Sequence, residues 1–260
     1  MTFTTTIQRG RQRKPPRITI YGPEGIGKST FGSQAPSPIF IQTEDGLDEI
    51  DCDRFPLATC FSDVKNYAQE LLVQPHDYQT VAVDSLDWLE RLIWDEVCAE
   101  YNATSIEKVD GGYAKGYTHA LTQWRQFIHL LDRLRNERHM AVLLVAHAKV
   151  EKFEDPEAAA YDRYAPRLHK HAAALICEWC DAVLFATRRF RTQSEDAGFN
   201  RKRTIAHALG RDGGERILRC VGGPACVAKN RYGITAELPL TWAAFIDAIS
   251  NSPERTENHG

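Results

Sequence analysis

A chain of 260 residues with 43% hydrophobic content can bury one substantial core, and one large α/β domain fits better than two small ones. A formal net charge of -3 neither demands nor excludes a polyanionic partner, because a local basic patch decides that rather than the total. No apolar run approaches membrane-spanning length, and Met1-Thr2-Phe3-Thr4 lacks the charged and apolar regions of a secretion signal, so a cytosolic protein is expected.

Residues 1–16 are polar and basic, with Arg9, Arg11, Arg13 and Lys14 running into Pro15-Pro16, and are expected to form a flexible arm. The apolar run Ile18-Thr19-Ile20-Tyr21 predicts a strand. It leads into Gly22-Pro23-Glu24-Gly25-Ile26-Gly27-Lys28-Ser29-Thr30, which fits the phosphate-loop pattern G-x-x-x-x-G-K-S/T without a mismatch and is followed by a helix-capable segment. The glycines let successive N–H groups turn inward around a phosphate, and the helix opening near Lys28 adds its dipole and unpaired N–H groups. By the mechanics of this motif, Lys28 reaches the β- and γ-phosphates of ATP, Ser29 ligates Mg²⁺, and Thr30 contacts the α-phosphate region.

Pro38-Ile39-Phe40-Ile41-Gln42-Thr43 predicts a second buried strand ending in Glu44-Asp45-Gly46, which places carboxylates at the edge where open α/β sheets keep ligands. Leu57-Ala58-Thr59-Cys60 reads as a short third strand and residues 64–73 as an amphipathic helix. Thr80-Val81-Ala82-Val83-Asp84-Ser85 is a β-branched apolar run ending in an acid, so Asp84 is assigned as the Walker B residue behind the Mg²⁺ shell. The helix after it buries Leu86, Leu89, Ile93 and Val97, with Trp88 and Trp94 nearby. Residues 108–117 hold three glycines with Tyr113 and Lys115, which suits either a plain surface loop or contact with single-stranded nucleic acid. Tyr117, Ala120, Leu121, Trp124, Phe127, Ile128, Leu131 and Leu134 then form one helical apolar stripe.

That helix feeds a buried strand at residues 141–146 and then His147, placed to reach the γ-phosphate or to be satisfied by neighbouring backbone. Residues 148–170 read as a charged loop carrying Lys149, Lys152, Arg163 and Arg167. A helix over residues 171–179 and a strand over residues 181–186 follow. The runs Arg188-Arg189-Phe190-Arg191 and Arg201-Lys202-Arg203 predict a basic hairpin able to track phosphates, followed by Arg216-Ile217-Leu218-Arg219. In Ala228-Lys229-Asn230-Arg231-Tyr232-Gly233 two cations spaced by one residue point the same way on an extended strand, so both can reach one triphosphate. Residues 241–249 predict a helix with Trp242, Phe245 and Ile249 inward, and a polar tail follows. The seven scattered cysteines read as reduced core residues; Cys177-x-x-Cys180 lies in an apolar helical run rather than a zinc knuckle.

Taken together in this order, the motifs resemble the RecA-like core of recombinases and replicative helicases. The similarity is greatest to phage nucleotide-binding proteins of the Sak single-strand annealing group. The segment Phe40 to Asp48 resembles the RecA strand that ends in a catalytic glutamate, which makes Glu44 the residue that polarises the attacking water. Gly112-Tyr113-Ala114-Lys115-Gly116-Tyr117 is similar to a glycine-lysine loop of the phage group. Lys229-Asn230-Arg231-Tyr232-Gly233 resembles the strand that inserts cations into the next subunit's ATP site. The resemblance implies a RecA-like α/β ATPase domain over residues 17–248, with a mostly parallel sheet, a C-terminal hairpin region and a tail at 249–260. It further implies a homo-oligomer, as a ring or filament, that binds single-stranded DNA through the segments around Tyr113 and after His147, beside a phage single-strand-binding protein in the host cytoplasm. Two other classes share a phosphate loop: a nucleotide or small-molecule kinase, and a nucleotide-gated helicase loader.

Overall fold

The computed structural model describes residues 7, 10, 12, 14–157, 159–196, 202–208 and 214–251. The near-continuous apolar runs read above form strands buried on both faces, as a parallel sheet covered by helices requires. Strands β1 (Arg17–Gly22), β2 (Pro38–Gln42), β3 (Asp53–Arg54), β4 (Thr80–Asp84), β5 (Ala141–Phe153) and β7 (Ala182–Arg188) lie parallel in the order β7-β1-β5-β4-β2-β3. Beyond β7 the sheet turns antiparallel, through β10 (Arg216–Arg219) and β12 (Leu238–Pro239), while β11 (Lys229–Asn230) pairs with the start of β7. The α/β fold with a mostly parallel sheet is as the sequence implies.

Side chains alternate across the sheet. Tyr21, Ile41, Val83 and Leu144 face α2 (Phe61–Val73), α3 (Leu86–Glu100), α4 (Lys115–Glu137) and α5 (Lys170–Trp179). Ile20, Phe40, Ala82 and Val145 face α1 (Lys28–Ser33) and α6 (Trp242–Ser250). The α4 stripe is buried at Ala120, Trp124, Phe127, Ile128, Leu131 and Leu134, while Tyr117 and Leu121 are half-buried. Each fully buried large apolar side chain contributes about 1.5–3 kcal/mol, so this stripe rather than helix propensity fixes α4. Thr241 caps α6 by accepting from the Ala244 N–H at 3.2 Å, and Trp242, Phe245 and Ile249 point inward as expected.

Several expectations need correction. Residues 57–60 are not a strand; the third strand is the two-residue β3. Asp63 accepts from the N–H groups of Thr59 and Cys60 at 2.9 and 3.2 Å, which commits this stretch to capping α2. Residues 148–170 are not a loop: β5 continues to Phe153 and turns back as β6 (Tyr161–Pro166), pairing antiparallel from Ala148↔Pro166 to Phe153↔Tyr161. Opposite charges across the strands hold it, Arg163 bonding Glu151 at 2.9 Å, so the high charge that reads as a loop is cross-strand pairing. The α6 helix runs past the expected boundary at 248. At the other end, Arg135 donates to the Pro15 carbonyl at 2.6 Å and Val142 N–H to Pro16 at 2.9 Å, so the last residues of the expected arm are fixed to the body.

The basic hairpin is present as β8 (Phe190–Asp196) and β9 (Lys202–Ala208), with Lys202 opposite Asp196 and Arg203 opposite Glu195. Arg201 lies outside the described residues. Burial pushes the Cys180 and Cys220 thiols up to about 12, as suits packed, unreactive cysteines.

Candidate functional site

Strand register decides what meets at the carboxyl edge. Gly22 pairs with His147, Gln42 with Asp84, and Asp84 with Val145, so the ends of β1, β2, β4 and β5 come level. The phosphate loop, Glu44, Asp84 and His147 therefore line one cavity of about 460 Å³. A larger hollow of about 700 Å³, beside Ser37, Pro38 and Tyr78, lies at the opposite edge, away from these groups.

Within the loop, Gly25 and Gly27 have φ of 68° and 107°, a region open to glycine and strained for side chains. Lys28 is buried and its Nζ donates to the carbonyls of Gly22 and Pro23 at 3.1 and 2.9 Å. Burial lowers its pKa, against the opposing pull of Asp84, Asp87, Glu44 and Glu24. Ser29 Oγ donates to Asp84 Oδ2 at 2.5 Å. Burial raises the Asp84 carboxyl, offset in part by the Ser29 bond and Lys28. A hydroxyl and a carboxylate converging beside inward-turned loop N–H groups and a buried ammonium are hard donors suited to a magnesium triphosphate. Ser29 and Asp84 are the residues that would hold the ion.

Beyond this pair the edge carries a polar chain. Thr43 Oγ1 donates to the Ser85 carbonyl at 2.7 Å and accepts the Ser85 N–H at 2.9 Å. Ser85 Oγ donates to Glu44 Oε2 at 2.9 Å, and His147 Nδ1 lies 3.9 Å from the same oxygen. His147 Nδ1 is 3.1 Å from both Asp87 oxygens, and its backbone N–H also donates to Asp87 at 3.1 Å. Arg167 completes the chain, donating to Asp87 at 2.7 Å and standing 3.7 Å from Glu24 of the phosphate loop. Burial raises the Asp87 carboxyl, but the bonds from His147 and Arg167 outweigh it and hold the group well below the usual carboxylate range.

Of the cations expected to contact DNA, Arg167 is thus engaged with Asp87. Lys149 donates to the Leu168 carbonyl at 2.7 Å, and Arg163 lies over the Phe153 ring at 3.9 Å besides bonding Glu151. Lys152 is exposed on the β5–β6 hairpin. Tyr113 is 96% exposed, on a tip where Asp110, Tyr113 and Ala114 have φ of 51°, 53° and 61°. Lys115 donates to the Asp110 carbonyl at 3.0 Å and steadies that tip. Lys229 and Arg231 do point the same way, both donating to the Glu178 carbonyl, at 3.0 and 3.2 Å. They sit where β11 pairs with the start of β7, the edge opposite their own phosphate loop, so within one subunit they stand apart from Lys28.

Sequence reading missed Asp87, named Arg216 only as part of a basic face, and placed Arg167 elsewhere. Asp87 lies three residues beyond Asp84, in the first turn of α3, where an acid beside a helix N-terminus could have singled it out. Arg216 of β10 lines the cavity from the β7 side, a placement set by a distant strand pairing.

A family model described as an AAA domain matches residues 14–232. The SPbeta prophage-derived uncharacterized protein YorG of Bacillus subtilis (strain 168) is similar, 24% identical over 172 residues that cover 65% of this chain and 49% of that protein. The match thus spans about half the length of that relative.

Proposed function

The chain belongs to the AAA-domain family, and from that premise we propose that it is a magnesium-dependent ATPase of phage origin that assembles on single-stranded DNA and promotes annealing or recombination. The observation that carries the ATPase reading is the convergence of Lys28, Ser29, Asp84 and Glu44 in one cavity. Lys28 and the loop N–H groups bind the triphosphate, and Ser29 with Asp84 hold the metal. A magnesium ion bound there supplies charge neutralisation on the phosphate oxygens. Glu44, fixed by Ser85, orients the attacking water, and His147, fixed by Asp87, faces the same space. Lys229 and Arg231 enter the site of an adjacent subunit, a contribution of about 4–7 kcal/mol to the barrier if they act as other arginine fingers do.

Phage origin is supported by the prophage name of the relative. The DNA reading is supported by the exposed Tyr113 and by Lys152 on its hairpin. ATP titration and hydrolysis with and without single-stranded oligonucleotide, for the wild type and Lys28→Ala, test the whole. Lys28→Ala should lose ATP binding, and oligonucleotide binding should weaken steeply with salt. Unchanged ATP affinity in Lys28→Ala would refute the site assignment. Salt-independent or absent oligonucleotide binding would favour an accessory protein that meets DNA through another chain.

A further inference from the structure

Arg216 opens β10, which hangs antiparallel on β7 with Arg216 opposite Arg188. The Leu240 N–H donates to its carbonyl at 3.2 Å, so the backbone is held from both sides. The side chain crosses to the phosphate loop: one guanidinium nitrogen lies 3.2 Å from the point where a Cβ on Gly27 would sit, with a Leu240 methyl 3.7 Å from that point. Nearby arginines are satisfied, Arg189 by Glu215 and Glu237 at 2.8 and 3.1 Å and Arg219 by Glu237 at 3.1 Å. Among the described residues no carboxylate lies within 4.0 Å of Arg216. A guanidinium with no acidic partner among the described residues therefore stands in the wall of a cavity fitted for a polyanion.

The sheet order fixes which part of the polyanion it can meet. Running β10-β7-β1-β5-β4-β2, the sheet brings Arg216 to the loop after β1 from the β7 side, and Asp84 and Glu44 from the β4 and β2 side. The metal ligand and the water-orienting carboxylate mark the γ-phosphate end, which leaves the inner phosphates for Arg216.

We propose that Arg216 is a nucleotide-contacting residue of its own subunit, binding the α- and β-phosphates across Gly27. The proposal rests on the reading of Gly22 to Thr30 as a triphosphate site. It assigns a cation in cis to a phosphate segment that ATP and ADP share. Removing it therefore weakens both nucleotides alike, and the loss in turnover falls on KM more than on kcat.

The test is calorimetric titration of the full chain with magnesium-ATP, magnesium-ADP and inorganic tripolyphosphate, for the wild type, Arg216→Ala, Arg216→Gln, Arg216→Lys and Lys28→Ala. Arg216→Ala should weaken all three ligands by about 10- to 100-fold, the range for a charged hydrogen bond. Arg216→Lys should recover part of that, because an ammonium keeps the charge without the planar fork. If Arg216→Ala does not fold, the contrast between Arg216→Gln and Arg216→Lys carries the same information. Unchanged ATP and ADP affinities, with Lys28→Ala devoid of binding, would overturn the role of Arg216 and leave the phosphate-loop reading intact. Loss confined to ATP and ADP, with tripolyphosphate unaffected, would also overturn it by moving Arg216 to the ribose or base. A wild type that binds none of the three would overturn the underlying reading itself.

Discussion

Asp87 and Glu90 lie side by side on one face of α3, both buried, and burial leaves them in opposite states. Asp87 has two cationic or hydrogen-bonding partners, His147 and Arg167, and stays far below the usual range. Among the described residues Glu90 receives only the His169 N–H, at 2.9 and 3.1 Å to its two oxygens, with Lys149 nearby, and burial pushes it up to about 7. For Asp87 the folded pKa is depressed, so its contribution is present above its ordinary 3.8 and is lost as pH falls through the folded value. Asp87→Asn should cost about 1–3 kcal/mol in urea melts at pH 7, since Arg167 loses half its bond and is partly solvated. For Glu90 the sign reverses. Its stabilising state is the protonated one, complete below 4.5 and lost as pH rises through about 7. Glu90→Gln should therefore stabilise the protein more at pH 8 than at pH 5, by an amount on the order of 3 kcal/mol at most. An equal effect at both pH values would show that Glu90 does not titrate there. Periodicity reads Leu86, Leu89, Ile93 and Val97 as inward and says nothing of the acids one place on, because it measures apolarity and these two acids turn inward for polar partners.

At the scale of elements, β1, β2, β4, the start of β5, β7 and the phosphate loop were legible because each carries its own signal within a few residues, whereas the two-residue β3 was not. The β5–β6 hairpin was not: its strands alternate charges whose partners lie across the ladder, and a linear reading of Lys149, Glu151, Lys152 and Arg163 yields only a charged segment. The tip around Tyr113 was legible in composition but not in posture, since its run of positive φ lies where α4 packs against the 3₁₀ segment Ile106–Gly111, a contact that composition does not encode. On the proposed DNA-binding reading, this exposed ring would stack with an unpaired base. Tyr113→Ala should weaken oligonucleotide binding by about 1–3 kcal/mol while leaving its salt slope unchanged, whereas Lys152→Ala should lower the slope by about 1. Fluorescence anisotropy over a salt series separates the two; an unchanged affinity in Tyr113→Ala would remove this tip from the DNA path.

For the whole molecule, strand direction puts the phosphate loop at the carboxyl edge of the sheet and the Lys229–Arg231 pair at its amino edge, so a site that uses both needs two copies of the chain. Arg231→Ala mixed with Lys28→Ala should then regain part of the hydrolysis that each lacks alone, because mixed joints unite an intact loop with an intact arginine. No recovery at any ratio, with both variants folded and associated, would rule out the shared site. The sequence carried the spacing of Lys229 and Arg231, but where β11 pairs on β7 depends on contacts across the whole chain.

In this structure Arg231 rests on Asp181 at 3.4 Å, and Asp181 is also held by Arg17 at 2.9 Å and Arg135 at 3.2 Å. With 57% of the Arg231 side chain in solvent, its bond is worth about 1 kcal/mol or less. Three cations on one carboxylate make the outermost of them redundant at home. Arg231 can swing away without leaving a buried charge unpaired behind it, which is the condition for a side chain whose work lies on another molecule.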